Sequence, residues 1–418
     1  MNKITTSSII SYSLLAFCLS FVGLPIYIYL PNYYADNFDV SLKTMAVILL
    51  ATRLFDTISD PIFGIVSDKV PHLKKKIICY FSPFLGIAFL FLFQPMTQIS
   101  INFWLITFLL ITYGLFSLIY INYQSFAVSL SDDYHLKTRI ISYREICFIL
   151  GIICAAAGPA ILFEYFSETK SFFLMGVVYL VLITIFSVIF YINAPANEKL
   201  KISKSVNGGN ILVIIKNQSL RKYFTIFFLN SVSSSIPAVL IIFFVEEIIN
   251  AKSLVGIFLI LYFFGLLIGV IFWTKISKFS NNKIRTWLAS IISTIFIFVW
   301  CYFLTEGDII LYGIICILSG LCFGGDFALA YSVLTDMIQK NKLENNESTI
   351  FGITNFIVKI SLTLSSAILI YYIGDLESDL YAKKQFISFS YALLPIIFRI
   401  MAAIILFRGL KINKIIQN

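Results

Sequence analysis

Long apolar runs follow one another along nearly the whole chain, and short polar segments separate them. Runs of about 20 apolar residues are long enough to cross a bilayer as helices. Reading for them predicts six spans near 8–31, 44–66, 77–95, 101–129, 142–163 and 172–193, and six more near 222–248, 253–274, 286–304, 309–336, 350–373 and 386–408. The pattern therefore predicts an all-α polytopic membrane protein with twelve transmembrane helices.

The only long hydrophilic stretch, residues 194–221, divides these spans into six and six. A shift of 212 residues aligns Pro25 with Pro237 and Ser41 with Ser253. Internal repetition of this kind is typical of transporters built from two similar halves. We therefore predict two pseudo-symmetric six-helix bundles, residues 1–193 and 222–418, joined by a cytoplasmic linker at 194–221.

Composition and charge support a membrane protein. Hydrophobic residues make up 59% of the chain and charged residues 13%. The net charge of +9 comes from Lys and Arg concentrated in alternate predicted loops, whereas the opposite loops carry mostly acids. By the positive-inside rule both termini and the linker are cytoplasmic, so the positive charge reflects topology and not a nucleic-acid partner. Lys383 and Lys384 are the main exception to the pattern.

The second predicted span contains three charges. At about 100° per residue, Arg53, Asp56 and Asp60 fall on one helix face, which Gly64 continues. A charge at the bilayer centre costs about 2.5–3.5 kcal/mol on insertion scales, so these side chains must face protein or water. Intramembrane charges typically bind an ion, relay a proton or stabilise a gate. The span therefore indicates a transporter.

Two carboxylates four residues apart on a helix either share a cation or take up a proton. Their hard oxygens suit Na⁺, Li⁺ or H⁺, and we expect any metal at Asp56 and Asp60 to be Na⁺. Pro61 lacks an N–H, which frees the carbonyl of Thr57 as a further ligand. Arg53 could neutralise Asp56 when the cation leaves. The alternative is a static Arg53–Asp56 ion pair that only holds helices together.

The pattern Arg53-x-x-Asp56-x-x-x-Asp60-Pro61-x-x-Gly64 resembles the helix-two signature of the glycoside–pentoside–hexuronide:cation symporters, the melibiose-permease family of the major facilitator superfamily (MFS). Weaker similarities extend through both halves, at Tyr33 to Asp36, Tyr143-Arg144, Thr335-Asp336 and Lys359. The resemblance implies that Asp56 and Asp60 bind the coupling cation and that Lys359 is linked to that site.

The resemblance also implies where the solute binds. The family holds sugar hydroxyls with aspartates on helices one and four, where this sequence has Ser20 and Tyr120. The coupling site is thus retained while the solute site is remodelled. Other polar residues within spans 4, 5, 10 and 11 are candidate solute ligands: Asn122, Tyr123, Gln124, Arg144, Asp326, Asn355 and Thr363. The alternative for the span 4 amides is hydrogen bonding between helices.

Gly64-x-x-x-Asp68-Lys69 resembles the superfamily's loop motif between helices two and three, which implies gating roles for Gly64 and Asp68. Asp336, at the end of span 10, is a further gating candidate. We interpret Lys74, Lys75 and Lys76 as positive-inside anchors. Asp326 and Lys359 both lie near mid-span, and a contact between them would neutralise both charges.

Together these features predict a cation-coupled symporter, driven by Na⁺ or H⁺, that carries a small polar solute such as a sugar or glycoside by alternating access. A lipid or lysolipid carrier of the same superfamily, or another metabolite carrier, is the alternative within transport; a non-transporting receptor or scaffold is the alternative outside it. We expect no enzymatic activity and no cofactor beyond the coupling ion. The Ile-, Phe-, Lys- and Asn-rich composition is typical of an AT-rich bacterial genome and so indicates a bacterial inner membrane. We also expect a monomer.

Overall fold

A computed structural model describes residues 6–96, 98–131, 133–194, 209–376 and 379–412. These residues are overwhelmingly helical and contain no strand. In chain order the α-helices of the described residues are α1 Thr6–Phe21, α2 Gly23–Ile28, α3 Leu30–Phe38, α4 Leu42–Lys69, α5 Lys74–Leu92, α6 Ile101–Phe126, α7 Tyr134–Phe163, α8 Glu168–Asn193, α9 Ile211–Lys216, α10 Gln218–Glu247, α11 Val255–Ser280, α12 Lys283–Phe298, α13 Ile309–Gly325, α14 Tyr331–Lys340, α15 Glu347–Asp375 and α16 Leu380–Ile412.

The described helices confirm the predicted class of fold. Eleven segments are long and apolar enough to cross a membrane. The remaining predicted span is α4, whose apolar run is interrupted by Arg53, Asp56 and Asp60. Its 28 residues give it a length of about 42 Å at 1.5 Å per residue, which also suffices to span a bilayer.

The chain divides into two compact units, residues 1–211 with 338–353, and residues 212–337 with 354–418. The first seven residues of α15, 347–353, thus group with the first unit. Of the predicted linker at 194–221, residues 195–208 lie outside the described residues, and the domain bounds drawn from the sequence stay predictions.

Local sequence signals set the bounds of α4, the helix that positions the candidate site. Ser41 is its N-cap and accepts a hydrogen bond from the backbone N–H of Thr44 at 3.2 Å. Side-chain oxygens at this position satisfy a backbone donor that the helix leaves unpaired. At the other end the helix stops at Lys69, two residues before Pro71, which disfavours helical geometry in the residue preceding it.

The second unit is held together by a close crossing of α11 and α13. Added Cβ atoms at Gly265 and Gly269 would collide with the carbonyls of Ile317 and Leu321, and one at Gly320 would collide with that of Tyr262. Small residues allow helix backbones to approach this closely, which is how helices associate where lipid removes the hydrophobic driving force. Directly after this crossing, residues Asp326–Ala330 form a π-helical turn.

Candidate functional site

The two aspartates of α4 are almost completely buried, Asp56 at 2% exposure and Asp60 at 0%. The hydroxyl of Thr57 donates to the carbonyl of Arg53 at 2.8 Å, so the hydroxyl is used within the helix and the Thr57 carbonyl is the group that could bind a cation. Pro61 lies inside the helix and donates no hydrogen bond to that carbonyl. The first unit therefore buries two carboxylates beside a backbone oxygen relieved of its helical bond.

Arg53 packs on aromatic rings. Its guanidinium carbon lies 5.6 Å from the ring centre of Tyr27 and 5.5 Å from that of Tyr113. Cation–π contacts of this kind stabilise a guanidinium without a carboxylate partner. The static Arg53–Asp56 ion pair considered from the sequence is therefore not the arrangement of Arg53 in this structure.

A hydroxyl on α6 joins the site, and sequence reasoning missed it. Ser117 is buried and donates to Oδ1 of Asp56 at 2.9 Å. Serine hydroxyls both donate and accept, so Ser117 can hold the carboxylate or turn an oxygen toward a bound cation. In the sequence Ser117 is one of many serines within apolar spans, and no spacing signal distinguishes it.

Helices α4 and α15 cross at two glycines next to this site. A Cβ at Gly64 would lie 2.6 Å from the carbonyl oxygen of Ser348 and 2.7 Å from Cα of Thr349. A Cβ at Gly352 would lie 2.5 Å from the carbonyl oxygen of Asp60. The start of α15 therefore packs directly against the backbone that carries Asp60.

We expect Gly352→Ala to destabilise the protein by about 1–3 kcal/mol, the usual cost of overpacking, because the contacting atom is backbone and cannot rotate away. The matched control is Gly374→Ala on the same helix, where an added Cβ meets nothing within 4 Å. That change should alter stability by less than about 0.5 kcal/mol, since Gly374 is exposed at the end of the helix and the added methyl group meets no neighbour. Equilibrium unfolding of the purified protein measures both; equal stability of the two variants would contradict the close crossing.

Asp68, the predicted gating residue, caps the start of α15. Its carboxylate accepts from the backbone N–H groups of Ser348 and Thr349 at 2.9 and 2.8 Å, and from the hydroxyl of Thr349 at 2.7 Å. A carboxylate at a helix N-terminus satisfies unpaired donors and interacts favourably with the helix dipole. This geometry fits a latch between the end of α4 and the start of α15.

Lys74 corrects the interpretation of the three lysines as simple anchors. It is buried at 1% exposure and pairs with Glu347 at 2.5 Å and Asp68 at 3.7 Å. Lys75 donates to the carbonyl of Ala194 at 2.7 Å, whereas Lys76 is exposed. Lys74 therefore completes the Asp68 network, and only Lys76 keeps the character of a solvated anchor.

Most predicted solute ligands of the first unit have packing contacts. The Ser20 hydroxyl donates to the carbonyl of Phe17 and occupies the space that a Cβ at Gly151 would need. The Tyr120 ring stacks on Phe116 with centres 5.3 Å apart. Ser20 thus packs α1 against α7, and the Tyr120 ring packs against Phe116 of its own helix, α6.

The polar centre of α6 is tied to neighbouring helices. The Asn122 amide donates to the Ser67 hydroxyl and to the Leu118 carbonyl, both at 2.8 Å, and Gln124 is fully buried. The hydroxyl of Tyr123 donates to the Tyr12 carbonyl at 2.7 Å. Asn122 and Tyr123 thus make the interhelical hydrogen bonds that the sequence left as the alternative to solute binding.

Arg144 lies on α7 beside an acid that the sequence analysis did not single out. Its Nε donates to Oε1 of Glu145 at 3.0 Å, and its Nη2 contacts the same oxygen. Both residues are buried at 2% exposure. The adjacency of an arginine and a glutamate at the start of a span reads in sequence as a helix-end charge pair, which is why Glu145 was missed.

In the second unit Asp326 has a different basic partner from the predicted one. Arg399 of α16 donates to its Oδ2 at 2.9 Å, while the indole N–H of Trp287 and the amide of Asn230 donate to Oδ1 at 2.6 and 3.3 Å. The expected contact with Lys359 is therefore wrong. Asp326 is the first residue of the π-helical turn, and the cation that it meets is Arg399.

The remaining predicted residues of the second unit lie on α14 and α15. Asp336 pairs with the buried Lys283 at 2.5 Å, so this gating candidate stabilises the junction of α12 and α14. The Thr363 hydroxyl donates to the carbonyl of Lys359 at 2.9 Å, and Asn355 is buried. The link of Lys359 to the aspartates, and the solute roles of Asn355 and Thr363, stay predictions.

Two further observations concern metal binding and the pairing of a charged loop residue. Among the described residues no group of three or more His, Cys, Asp or Glu side chains is placed to hold a metal. Lys383, an exception to the positive-inside pattern, pairs with Glu247 at 2.8 Å, so its charge is compensated within the second unit.

Comparisons with known proteins agree with the helical membrane fold described above. The model of the family described as MFS/sugar transport protein matches residues 11–414. A crystal structure of a bacterial homologue of the iron transporter ferroportin, in an outward-facing state, has a TM-score of 0.75 at 15% identity and covers 96% of this chain and 98% of that chain. The E. coli fucose:proton symporter has a TM-score of 0.70 at 14% identity, over 95% of this chain and 99% of its own. No curated protein matches the chain. At these identities the two structures show the fold alone.

Proposed function

Because the chain belongs to the MFS/sugar transport protein family, we propose that this transporter is a symporter that couples the uptake of a small polar solute to Na⁺ or H⁺. The observation that supports it most is the pair of buried carboxylates on α4, with the Ser117 hydroxyl on Asp56. The fold alone does not call for two acids there.

The donor set suits a hard monovalent cation. Asp56 and Asp60 supply carboxylate oxygens, Ser117 a hydroxyl, and Thr57 a carbonyl that Pro61 leaves without its helical partner. Oxygen donors of this kind are the ligands that hard cations prefer. Two buried carboxylates also repel each other, and a bound Na⁺ or a proton relieves that repulsion.

Coupling follows from charge compensation during alternating access. An empty carrier neutralises its carboxylates with basic side chains, and a doubly loaded carrier neutralises them with the ion. A carrier with solute but no ion keeps a buried uncompensated charge, and that cost suppresses the transition. The Asp68–Lys74–Glu347 network is the latch in this scheme, since the ion-binding helix α4 ends in it.

On the same proposal the protein is a monomer in a bacterial inner membrane, with both termini cytoplasmic.

Thermal unfolding of the purified protein in detergent tests the proposal without knowledge of the solute. NaCl, LiCl, KCl and choline chloride are compared at equal ionic strength and at two pH values, one on either side of neutrality. A ligand at 100 times its Kd stabilises the folded state by about 2.7 kcal/mol, so Na⁺ or Li⁺ should raise the unfolding temperature visibly. We expect that rise to vanish in Asp56→Asn and Asp60→Asn and to shrink in Ser117→Ala.

The matched control is Asp36→Asn, because Asp36 is an exposed acid on α3, the helix that precedes α4. It should respond to Na⁺ like the natural protein. No selective cation effect, with a pH dependence lost in both α4 variants, would assign the coupling to H⁺. A cation response that survives in Asp56→Asn and Asp60→Asn, or no dependence on cation or pH, would contradict the proposal and leave the aspartates as structural groups.

A further inference from the structure

The short helix α9 lies directly before a membrane-spanning helix. Its sequence is Ile-Leu-Val-Ile-Ile-Lys, and a single residue, Asn217, separates it from α10. Asn217 has an extended backbone, with φ −72° and ψ 111°, and its side chain caps α10 by accepting from the N–H of Leu220 at 3.0 Å. An extended residue between two helices stops them from sharing one axis. Helix α9 therefore changes direction at the level where α10 begins.

Most aliphatic side chains of α9 are exposed. Ile214 is completely buried, whereas Leu212, Val213 and Ile215 are 66%, 43% and 54% exposed. At about 100° per residue these three side chains and Lys216 fall on the arc opposite Ile214. A helix on a water-facing surface normally presents polar residues on that arc. The exposed face of α9 is therefore apolar with one basic residue, which is unusual for a surface in water.

The charge around α9 is almost entirely positive. Consecutive membrane-spanning helices alternate in direction, so the starts of α10 and α12 and the ends of α11 and α16 lie at the same end of the second unit. The basic side chains exposed at this end are Lys216, Arg221, Lys275, Lys278, Arg285 and Arg408. Among the described residues of this unit, the acid at the same end is Asp336, and it pairs with the buried Lys283.

The combination of exposed apolar and basic side chains recurs at the end of α11. Phe279 is 95% exposed, and Lys275 and Lys278 precede it within one turn. Segments with this composition lie in the interface of an anionic bilayer, where apolar side chains enter the acyl boundary and basic side chains meet lipid phosphates. Two separate segments at one end of the unit thus have the same chemical character.

We propose that the α9 surface, formed by Leu212, Val213, Ile215, Lys216 and Arg221, binds the anionic phospholipids of the membrane around the protein. The three aliphatic side chains insert below the headgroups, and Lys216 and Arg221 contact the phosphates. The surface anchors the start of α10, and therefore the end of the linker, to the bilayer. This interaction is independent of which ion and which solute the protein carries.

Charge favours the bilayer over two other occupants of this surface. The linker segment 195–208 carries Lys199, Lys201 and Lys204 against Glu198 alone, so its net charge is also positive. A second copy of the chain on a two-fold axis would present the same basic surface to itself. An anionic bilayer has the opposite charge, and α10 already crosses it.

Hydrogen–deuterium exchange of the full-length protein in lipid nanodiscs tests the proposal. The nanodiscs contain phosphatidylcholine with increasing mole fractions of phosphatidylglycerol, and the backbone amides of 211–217 are followed beside the same protein in detergent. The first amides of any helix lack internal hydrogen bonds, so a helix as short as α9 exchanges quickly unless something covers it. We expect exchange of this segment to slow as phosphatidylglycerol increases.

The double variant Lys216→Gln with Arg221→Gln should need about 25-fold more phosphatidylglycerol for the same protection, about fivefold for each basic residue removed. Leu212→Ser with Ile215→Ser keeps both charges and should also lose the protection, because the apolar anchor is gone. The matched control is Lys252→Gln with Lys384→Gln, which removes two exposed lysines at the opposite end of the same unit. It should respond to phosphatidylglycerol like the natural protein. The unfolding temperature in detergent reports the folding of every variant.

Equal exchange of 211–217 in phosphatidylcholine and in phosphatidylglycerol would overturn the proposal in the natural protein, without recourse to any variant. Slow exchange in detergent would overturn it as well: if independent of protein concentration it would assign the surface to the linker, and if it grew with concentration it would assign it to a second copy. A phosphatidylglycerol response that persists unchanged in both α9 double variants would place the lipid elsewhere on the protein and refute the role of this surface.

Discussion

Arg399→Ala is expected to lower the free energy of unfolding by about 3–5 kcal/mol, the cost of removing one partner from a buried ion pair. Arg399 is buried at 4% exposure and donates to Oδ2 of Asp326 at 2.9 Å. Without it the carboxylate keeps only neutral donors, Trp287 and Asn230, and its charge stays in the interior of the second unit. Equilibrium unfolding in mixed detergent and SDS measures the loss.

Two further variants separate charge from packing. Arg408→Ala, an exposed arginine on the same helix, should change stability by less than about 0.5 kcal/mol, as surface substitutions usually do. The double variant Arg399→Leu with Asp326→Asn removes both charges and should recover much of the loss, since neutral replacements of buried pairs are well tolerated. If Arg399→Ala were as stable as Arg408→Ala, Asp326 would not be the charged junction of this unit.

Lys74→Ala should have an effect of similar size in the first unit, about 3–5 kcal/mol, for the same reason. Lys74 is the basic partner of Glu347 at 2.5 Å and lies 3.7 Å from Asp68. Asp68 would keep its three donors from Ser348 and Thr349, but Glu347 would lose its counter-charge and face a second carboxylate. We also expect the variant to lose transport more than ion binding, because the Asp56–Asp60 pair is untouched.

Lys76→Ala is the matched control, two residues away and exposed, and should behave like the natural protein. Adding Glu347→Gln to Lys74→Ala replaces the stranded acid with a neutral amide and should restore part of the stability. Unfolding free energies of the four proteins form a double-mutant cycle that gives the coupling of Lys74 to Glu347. A coupling near zero would contradict the ion pair as a stabilising contact.

The sequence was sufficient for the helices and for the charged face of α4. Long apolar runs encode membrane helices because a bilayer leaves no other way to satisfy the backbone. The common face of Arg53, Asp56 and Asp60 could be predicted because it depends only on the spacing of residues within one helix. The structure adds that Asp56 and Asp60 are buried together in one unit, and that Arg53 lies on Tyr27 and Tyr113.

Partners of charged residues could not be predicted in the same way. Lys74 and Glu347 are 273 residues apart, and three consecutive lysines give no sign of which one is buried. By their positions along the predicted spans, Lys359 and Arg399 both lie near mid-membrane and could have met Asp326. A position along a helix does not tell which way the side chain faces. Ser117 and Glu145 were missed for a related reason. Whether a polar residue of a helix is buried depends on the helices packed against it, and the local sequence does not identify those helices.

The π-helical turn at Asp326–Ala330 has a consequence for aligning this protein with others. Such a turn holds one more residue than a regular α-helix over the same stretch, so every later residue is rotated by about 100°. The face on which Asp336 meets Lys283 is therefore not the face that counting from Gly320 would give. An ungapped alignment to a relative with a regular tenth span would match Asp336 to a side chain pointing elsewhere. A one-residue gap within 326–330 restores the correspondence, and residues beyond it are comparable only after that gap is placed.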